Sequence, residues 1–252
     1  KDVKEASKLA STSSAFLAGG MTTIPSMKLG LATYKDVIDI KHIKRLSGIK
    51  VSGKSVTIGA TTKHVEVSNS KDVQKAIPSL AKLAGGIGDA QVRNRGTVGG
   101  SIANNDPSAC YPSACMALNA IIHTNDRKIE AAKFFKGMFE TALKKGELIE
   151  AVEFQIPEKS NYQKHPNPAS RYAIVGVYLA KHKKEVNVAV TGAKSSVYID
   201  KDLSKKLSSS FSSSAIDGME LDSSDMNSDI HASGEFRASL VLTYAKKAVE
   251  AC

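Results

Sequence analysis

Two glycine loops constrain the fold of this chain most strongly. They read AFLAGGMTTIP over residues 15–25 and RNRGTVGGSIANNDPSACYP over residues 93–112, about eighty residues apart. Glycine lacks a Cβ atom, so its backbone can adopt positive φ and approach a ligand closely. Consecutive N–H groups in such a turn form an anion-binding nest, and nearby hydroxyl and amide side chains can bind phosphate or sugar oxygens. Either loop alone is typical of an ordinary turn, but the pair predicts one long diphosphate ligand held between two lobes.

A second glycine pattern is interpreted differently. Residues 48–55, GIKVSGKS, match the phosphate-binding pattern G-x-x-x-x-G-K-[ST]. That pattern requires a buried strand before it and a helix that opens at the Lys-Ser step. Here the preceding residues are half polar, and the following residues, VTIGATT, alternate as in a strand. We therefore predict a hairpin with its turn at residues 52–54, which disfavours an ATPase.

Composition narrows the function classes. The three cysteines, Cys110, Cys115 and Cys252, are too few for a disulfide framework or for a two-iron cluster, which takes four thiolates. The net charge of +10 suits an acidic partner or nucleic acid, but the lysines are scattered and aromatic residues make up only 6% of the chain. No apolar run reaches the roughly 20 residues of a membrane span, and no signal peptide is visible. We expect a cytoplasmic protein with no transmembrane segment that does not bind nucleic acid.

The order of predicted elements indicates an α+β fold, because short strands and helices alternate before a final run of strands. No G-x-G-x-x-G follows a strand, so a doubly wound nucleotide fold is not expected. Residues 91–105 are predicted as a loop and residues 134–139 as a short helix. The polar stretch 158–168 is predicted as a domain boundary. Beyond it we predict the following elements: antiparallel strands at 172–181, 185–193 and 195–199, a mobile serine-rich loop at 204–214 and a last helix at 235–251.

Four segments in this order resemble one known family. The segments are LAGGMTTIPSMKLGL, GTVGGSIANNDPSACYPSA, KHPNPASRYAIVGVYLA and DIHASGEFRA. They resemble the FAD-binding medium subunit of aerobic carbon monoxide dehydrogenases, which is similar to the FAD domain of xanthine dehydrogenase. The resemblance implies a two-lobed FAD-binding domain of the vanillyl-alcohol oxidase type over residues 1–158, with lobes of roughly 1–53 and 54–158. A C-terminal domain over residues 165–252, with a three-stranded antiparallel sheet and helices, would follow.

The same resemblance implies which residues contact FAD. The A-G-G-H-S type loop corresponds to Ala18, Gly19, Gly20, Met21 and Thr22, and the T-x-G-G-S loop corresponds to Thr97, Val98, Gly99, Gly100 and Ser101. Three further positions are implied beside the flavin or its loops: Ile87, Lys164 and Tyr172. No catalytic side chain and no metal ligand is predicted in this chain.

Two departures from the family pattern concern FAD affinity. Met21 and Thr22 replace the usual His-Ser, while Cys110 replaces an aspartate that contacts FAD in relatives. A thiol is a poor acceptor in place of a carboxylate. Asn105 and Asp106 are the candidates to compensate, and we expect weaker FAD binding than is typical of the family.

The implied role is electron relay. Substrate would be oxidised at a molybdenum cofactor on a large partner subunit, and two-iron (2Fe-2S) clusters on a small subunit would pass electrons to FAD on this chain. The implied assembly is a dimer of heterotrimers, with peripheral contact at the inner face of the membrane as a further expectation. Two alternatives stay open: a stand-alone FAD oxidoreductase, and a degenerate assembly subunit that has lost its redox role. The substrate and the electron acceptor are left open.

Overall fold

The computed structural model describes residues 2–252, and its first part is built around two short parallel strands. The elements here are α1 (Val3–Leu9), β1 (Ser14–Leu17), α2 (Thr23–Lys28) and β2 (Asp36–Asp39). Helix α1 begins after Asp2, whose carboxylate accepts a hydrogen bond from the N–H of Glu5 at 2.8 Å. Phe16 of β1 pairs with Ile38 of β2. Residues 18–22, the first glycine loop, therefore leave the carboxyl end of β1.

The middle part contains a five-stranded antiparallel sheet with the strand order β3-β4-β9-β5-β6. Its elements in chain order are β3 (Ile49–Ser52), β4 (Ser55–Gly59), α3 (His64–Asn69), α4 (Lys71–Ala76), α5 (Pro78–Gly85), α6 (Ala90–Arg95), α7 (Val98–Asn104), α8 (Tyr111–Ala117), β5 (Ile121–Thr124), β6 (Lys128–Glu130), α9 (Ala131–Phe134), β7 (Phe135–Gly137), β8 (Glu140–Thr141) and β9 (Ile149–Gln155). Ser52 pairs with Ser55 across the β3–β4 turn. The predicted hairpin is confirmed, and no helix opens at Lys54 to form a phosphate-binding loop.

The last part is a four-stranded antiparallel sheet with helices on one face. Its elements are β10 (Lys159–Pro166), β11 (Ala173–His182), β12 (Glu185–Thr191), β13 (Tyr198–Ile199), α10 (Lys201–Ser209) and α11 (Gly234–Glu250). Residues 173–180 of the central strand β11 are all buried. Tyr178 and Ala180 face a core shared with the five-stranded sheet, while Val177 and Leu179 face a second core under α10 and α11. This sheet is therefore sandwiched between two hydrophobic clusters.

The α+β class is confirmed, but several local predictions are wrong. Residues 91–105 form most of helices α6 and α7 instead of a loop. Asp89 and Thr97 cap them by accepting hydrogen bonds from backbone N–H groups. Gly99 has no Cβ, and this allows α7 to pack against Ala60, which a Cβ at that position would approach to 2.5 Å. Close packing thus stabilises a helix that glycine content alone disfavours.

The prediction of a mobile loop over the serine-rich segment 204–214 is wrong, because contacts with other elements stabilise a helix there. Residues 201–209 form the amphipathic helix α10, with Leu203 and Leu207 fully buried. Two of its serines accept hydrogen bonds from β12, at 3.0 Å from Val188 N–H to Ser204 Oγ and at 2.8 Å from Val186 N–H to Ser208 Oγ. These hydroxyls bond strand N–H groups that lie beyond the short pairing with β13.

Two further segments differ from expectation. Residues 159–166, expected within a polar boundary, form β10, an edge strand that adds a fourth strand to the predicted three. Residues 134–139, predicted as a helix, contain the end of α9, strand β7 and the turn into β8. The predicted domain limits stay a prediction. No helix within residues 2–252 combines the length and the apolar character of a membrane span.

Candidate functional site

The two glycine loops meet in space. A Cβ atom added to Gly19 would overlap the carbonyl oxygen of Arg95, which belongs to the second loop. Only glycine allows the two backbones to approach so closely. A cavity of about 470 Å³ opens between the loops and continues towards the C-terminal sheet. This volume lies within the usual range of small-molecule and cofactor sites.

The first loop offers unpaired backbone donors to this cavity. Gly20 has a φ of 75°, which turns the chain sharply between β1 and α2. The N–H groups of residues 19–22 donate to no acceptor within residues 2–252. Such a run of neighbouring N–H groups is an anion-binding nest. The hydroxyl groups of Thr22 and Thr23, which also line the cavity, can add further donors.

The second loop contributes mainly side chains, because its backbone donors are already bonded. The N–H groups of Val98 and Gly99 donate to the carbonyls of Thr62 and Ala60 at 3.1 and 2.8 Å. The N–H of Gly100 donates to the Thr97 hydroxyl at 3.1 Å. The groups of this loop that belong to cavity-lining residues and have no protein partner among the described residues include the hydroxyls of Ser101 and Ser108 and the Asn104 amide. If this loop contacts a phosphate as the sequence predicts, its side chains are available for that contact, because these backbone N–H groups are already bonded.

The far end of the cavity is formed by residues from three separate segments. Ile87 follows α5, Cys110 precedes α8, and Tyr172 precedes β11. The guanidinium of Arg93 holds the first of these segments by donating to the carbonyls of Ile87 and Gly88 at 3.1 and 3.0 Å. Burial raises the pKa of the Tyr172 phenol, and the negative charge of the nearby Asp106 raises it further. Tyr172 is therefore a neutral, half-exposed ring at the mouth of the cavity.

Most of the predicted contact residues line this one cavity. They are Ala18, Gly19, Gly20, Met21, Thr22, Ile87, Thr97, Gly99, Gly100, Ser101, Asp106, Cys110 and Tyr172. Asp106 accepts a hydrogen bond from the N–H of Ser108 at 2.8 Å, yet burial raises the pKa of its carboxyl group. Asp106 therefore places a carboxyl group on the wall of the cavity, which Cys110 also lines.

The other three predicted residues do not line the cavity. Val98 is fully buried in the core beneath α7. The Asn105 side chain donates to the carbonyls of Gly137 and Glu140, at 2.8 Å each, and is turned away into the β7–β8 hairpin. The Lys164 ammonium donates to two backbone carbonyls, as described below. Asn105 and Lys164 brace the walls of the cavity, and their contact with FAD stays a prediction.

The Lys164 contacts show how the cavity is held together. Its ammonium group lies 2.7 Å from the carbonyl oxygen of Gly86 and 3.0 Å from that of Arg171. Gly86 precedes Ile87, and Arg171 precedes Tyr172. Lys164 therefore ties together the two segments that carry these cavity residues.

Sequence reasoning missed a buried histidine on the cavity wall. His64 is only 4% exposed, and a Cβ atom added to Gly96 would lie 2.5 Å from its Nε2 atom. Burial, with a smaller contribution from the positive charge of Arg93, lowers the pKa of His64 to about 4. Its Nδ1 atom has no hydrogen-bond partner among the described residues, and its ring lies 5.4 Å from that of Tyr111. No spacing or motif marks this histidine, because its neighbours come from distant segments.

The donors that line the cavity are of the kind that bind an anion or a cofactor. Among residues 2–252, no group of three or more His, Cys, Asp or Glu side chains is placed to hold a metal ion. The donors that converge on the cavity are backbone N–H groups, hydroxyls and an amide. This donor set suits phosphate and sugar oxygens.

Comparison with known proteins places this geometry in context. The family model described as the FAD binding domain in molybdopterin dehydrogenase matches residues 1–158. The glyceraldehyde dehydrogenase medium chain of Sulfolobus acidocaldarius is 37% identical over 170 residues, which span 65% of this chain and 60% of that one. The nicotine 6-hydroxylase medium subunit of Paenarthrobacter nicotinovorans is 30% identical over 265 residues, which span 98% of this chain and 93% of that subunit.

A solved structure gives the same architecture. In the carbon monoxide dehydrogenase from Hydrogenophaga pseudoflava that lacks the Mo-pyranopterin moiety of the molybdenum cofactor, one chain superposes with a TM-score of 0.86 at 27% sequence identity. The superposition covers 100% of this chain and 94% of that chain. The mixed arrangement of helices and sheets is therefore shared over the whole length of the present chain.

Proposed function

This chain belongs to the family of FAD-binding domains in molybdopterin dehydrogenases, and we propose that it holds FAD in the cavity between the glycine loops to relay electrons within a larger oxidoreductase. One observation carries the proposal: residues 19–22, whose four successive N–H groups have no acceptor among the described residues, line the cavity where the two loops touch. A diphosphate supplies the acceptors that these donors lack. The residues present thus fit the cofactor that the family binds.

The residues of this chain would act by binding and orientation. Residues 19–22 would hold the pyrophosphate, with the hydroxyls of Thr22 and Ser101 as further donors. Ile87, Cys110 and Tyr172 would form the apolar end for the isoalloxazine ring, kept in place by Lys164 and Arg93. When bound, FAD would supply the redox chemistry by accepting electrons from iron-sulfur clusters and passing them to an external acceptor. The protein would supply position and electrostatics.

The partners are also part of the proposal. The names of several relatives are those of medium subunits or medium chains, which implies larger assemblies. We propose a large subunit with the molybdenum cofactor and a small subunit with 2Fe-2S clusters, arranged as a dimer of heterotrimers in the cytoplasm. The three cysteines of the chain are too few to bind such a cluster, which supports placing the clusters on a partner. The substrate of the whole enzyme would be decided on the large subunit.

The domain division is proposed on related grounds. Residues 1–158 would form the FAD-binding domain and residues 165–252 the C-terminal domain. Support comes from the second hydrophobic cluster, whose buried members all lie between Ile174 and Val249. The C-terminal part would complete the cavity by placing Tyr172 over its mouth.

A titration with three flavins tests the proposal. The purified protein is mixed with FAD, FMN or riboflavin, and quenching of flavin fluorescence gives each dissociation constant. We expect FAD to bind at least about tenfold tighter than FMN, because only FAD carries the diphosphate that spans the unpaired N–H groups; tenfold corresponds to about 1.4 kcal/mol. Equal affinity for all three flavins, or no binding of FAD, would contradict the assigned cavity.

The relay role needs a second measurement. The chain, tagged and isolated from its own cells, is expected to carry FAD together with iron and molybdenum on co-purified subunits. Turnover of a donor by the isolated chain alone would instead support a stand-alone oxidoreductase. Partners that bind a chain lacking FAD would support the degenerate assembly subunit.

A further inference from the structure

The backbone of His64 is bonded alongside the second glycine loop. Its N–H donates to the carbonyl of Gly96 at 3.0 Å, and two residues further along the loop the N–H of Val98 donates to the carbonyl of Thr62 at 3.1 Å. Gly96 has a φ of −61°, which is open to ordinary residues, so its backbone conformation does not require glycine. A Cβ atom at Gly96 would instead lie 2.5 Å from His64 Nε2. The missing side chain at residue 96 therefore makes room for the imidazole ring.

The two nitrogens of this ring have different surroundings. Nδ1 is fully buried and has no hydrogen-bond partner within residues 2–252. Nε2 has no partner within these residues either, but this nitrogen is not sealed from the cavity that His64 lines. The lowered pKa of His64 keeps the ring neutral, so it carries a single N–H group. An N–H group that is buried without an acceptor is costly and rare, which places the proton on Nε2.

The Nε2 edge of the ring lies close to the point where the two loops touch. Gly96, which faces Nε2, also faces Gly19, since a Cβ atom on Gly19 would lie 3.1 Å from Gly96 Cα. All three residues line the cavity. Gly19 begins the run of residues 19–22, whose N–H groups have no acceptor among the described residues. Gly96 is thus the residue between the imidazole edge and the anion-binding nest.

We propose that His64 binds FAD by donating its Nε2–H to the diphosphate that residues 19–22 hold. The inference rests on the proposed function and adds a side-chain donor to that site. A hydrogen bond to an ionised phosphate oxygen is about twice as strong as one between neutral groups. A neutral imidazole makes this bond without burying a further charge, as a lysine or arginine at this position would. The diphosphate is the group selected, because its oxygens accept from both the nest and the imidazole.

The test measures the affinities of the purified full chain for FAD and for riboflavin, by quenching of flavin fluorescence. His64→Leu fills the space of the ring but has no donor, and we expect FAD to bind at least about tenfold more weakly, because a hydrogen bond to a charged group is lost. Riboflavin carries no phosphate, so its affinity should not change. His64→Gln places an amide N–H near the position of Nε2 and should restore most of the FAD affinity. His42→Leu is the matched control, because His42 is exposed and does not line the cavity.

Nitrogen NMR of the parent with labelled histidine gives a second test that does not depend on the stability of a leucine variant. The His64 signals are assigned by their loss in His64→Gln. We expect the Nε2–H tautomer, with an Nε2 signal that shifts on addition of FAD or inorganic pyrophosphate but not of riboflavin.

Three results would overturn the role of His64 while FAD binding by the parent stands. They are an Nδ1–H tautomer, a His64→Leu variant that binds FAD as tightly as the parent, and equal losses of FAD and riboflavin affinity. A glutamine variant as weak as the leucine variant would also overturn it, by assigning the ring a packing role alone. A parent chain that binds no FAD would instead refute the proposed function on which the inference rests.

Discussion

The ammonium nitrogen of Lys164 lies 3.7 Å from the thiol sulfur of Cys110. Both residues belong to the far end of the cavity, where Lys164 also joins the segments that carry Ile87 and Tyr172. The family resemblance of the sequence implies an aspartate at the position of Cys110. A carboxylate there would lie beside a cation that is already in place. The structure therefore retains the charge partner for an acidic residue that the sequence lacks.

We predict that Cys110→Asp strengthens FAD binding by about tenfold or more. A hydrogen bond to a charged group contributes about 1.5–3 kcal/mol, and Lys164 offsets the cost of burying the new carboxylate. Fluorescence titration with FAD measures the change. Cys110→Ser, which adds a hydroxyl without charge, should give a smaller gain. If the aspartate variant binds FAD no better than the parent, the thiol is not a defect of this site.

We predict that Gly19→Ala lowers both stability and FAD affinity. The added Cβ would overlap the carbonyl oxygen of Arg95, which is backbone and cannot rotate away. Overpacking of this kind typically costs about 1–3 kcal/mol, and the shift would separate the unpaired N–H groups from the cavity. Urea unfolding and FAD titration report the two effects. Gly85→Ala is the control, because its Cβ would lie 3.6 Å from the nearest atom, Ser68 Cβ, and an unchanged affinity for Gly19→Ala would contradict the loop contact.

His64 predicts a specific dependence of stability on pH. Its pKa is lowered to about 4 in the folded protein, against 6.5 in the unfolded chain. The unfolded state binds the extra proton between these values, so stability falls as the pH decreases from 6.5 to 4. The expected loss from His64 between pH 7 and pH 5 is about 2 kcal/mol. His64→Leu should remove that part of the dependence, measured by urea unfolding at both pH values.

The exposed His42 serves as the comparison for this measurement. His42→Gln should leave the difference between pH 7 and pH 5 unchanged. A His64→Leu variant that keeps the full pH dependence of the parent would show that the lowered pKa of His64 does not contribute.

Arg237 predicts a large loss of stability on truncation. The guanidinium is 3% exposed and donates to the carbonyls of Ile174 and Gly192 at 2.6 and 3.1 Å, and to Asp229 at 2.7 Å. Arg237→Met removes the donor to the Ile174 carbonyl and the charge partner of Asp229, and leaves the Gly192 carbonyl with the Asn227 amide alone, which should cost about 3–5 kcal/mol in urea unfolding. Lys246→Met breaks an exposed ion pair with Asp217 and should cost less than about 1 kcal/mol. An equal decrease in the free energy of unfolding in the two variants would contradict the structural role of Arg237.

The sequence predicted local chemistry well where it depends on residue type. Gly19 and Gly20 indicated a close backbone approach, and the strands predicted at 172–181 and 185–193 correspond to β11 and β12. Prediction from the sequence failed where contacts between distant segments determine the secondary structure. Residues 98–104 form a helix because Gly99 packs on Ala60, and residues 201–209 form a helix because their serines bond to β12. Propensity could not show either contact, because both join residues that are remote or that belong to different elements.

By itself, the sequence determined the family, the α+β class and the pair of loops that enclose the cofactor cavity, because glycine spacing and motif order are properties of the chain. Only the tertiary structure decided which donors stay free. The N–H groups of Val98 and Gly99 are taken by carbonyls of Thr62 and Ala60, while those of residues 19–22 are left open to the cavity. The tertiary structure likewise bonds the Asn105 amide and the Lys164 ammonium to backbone carbonyls beside the cavity. The physical reason is that a polar group bonds to the partner that folding brings within hydrogen-bond distance. The spacing of residues along the sequence does not give the distance between remote segments.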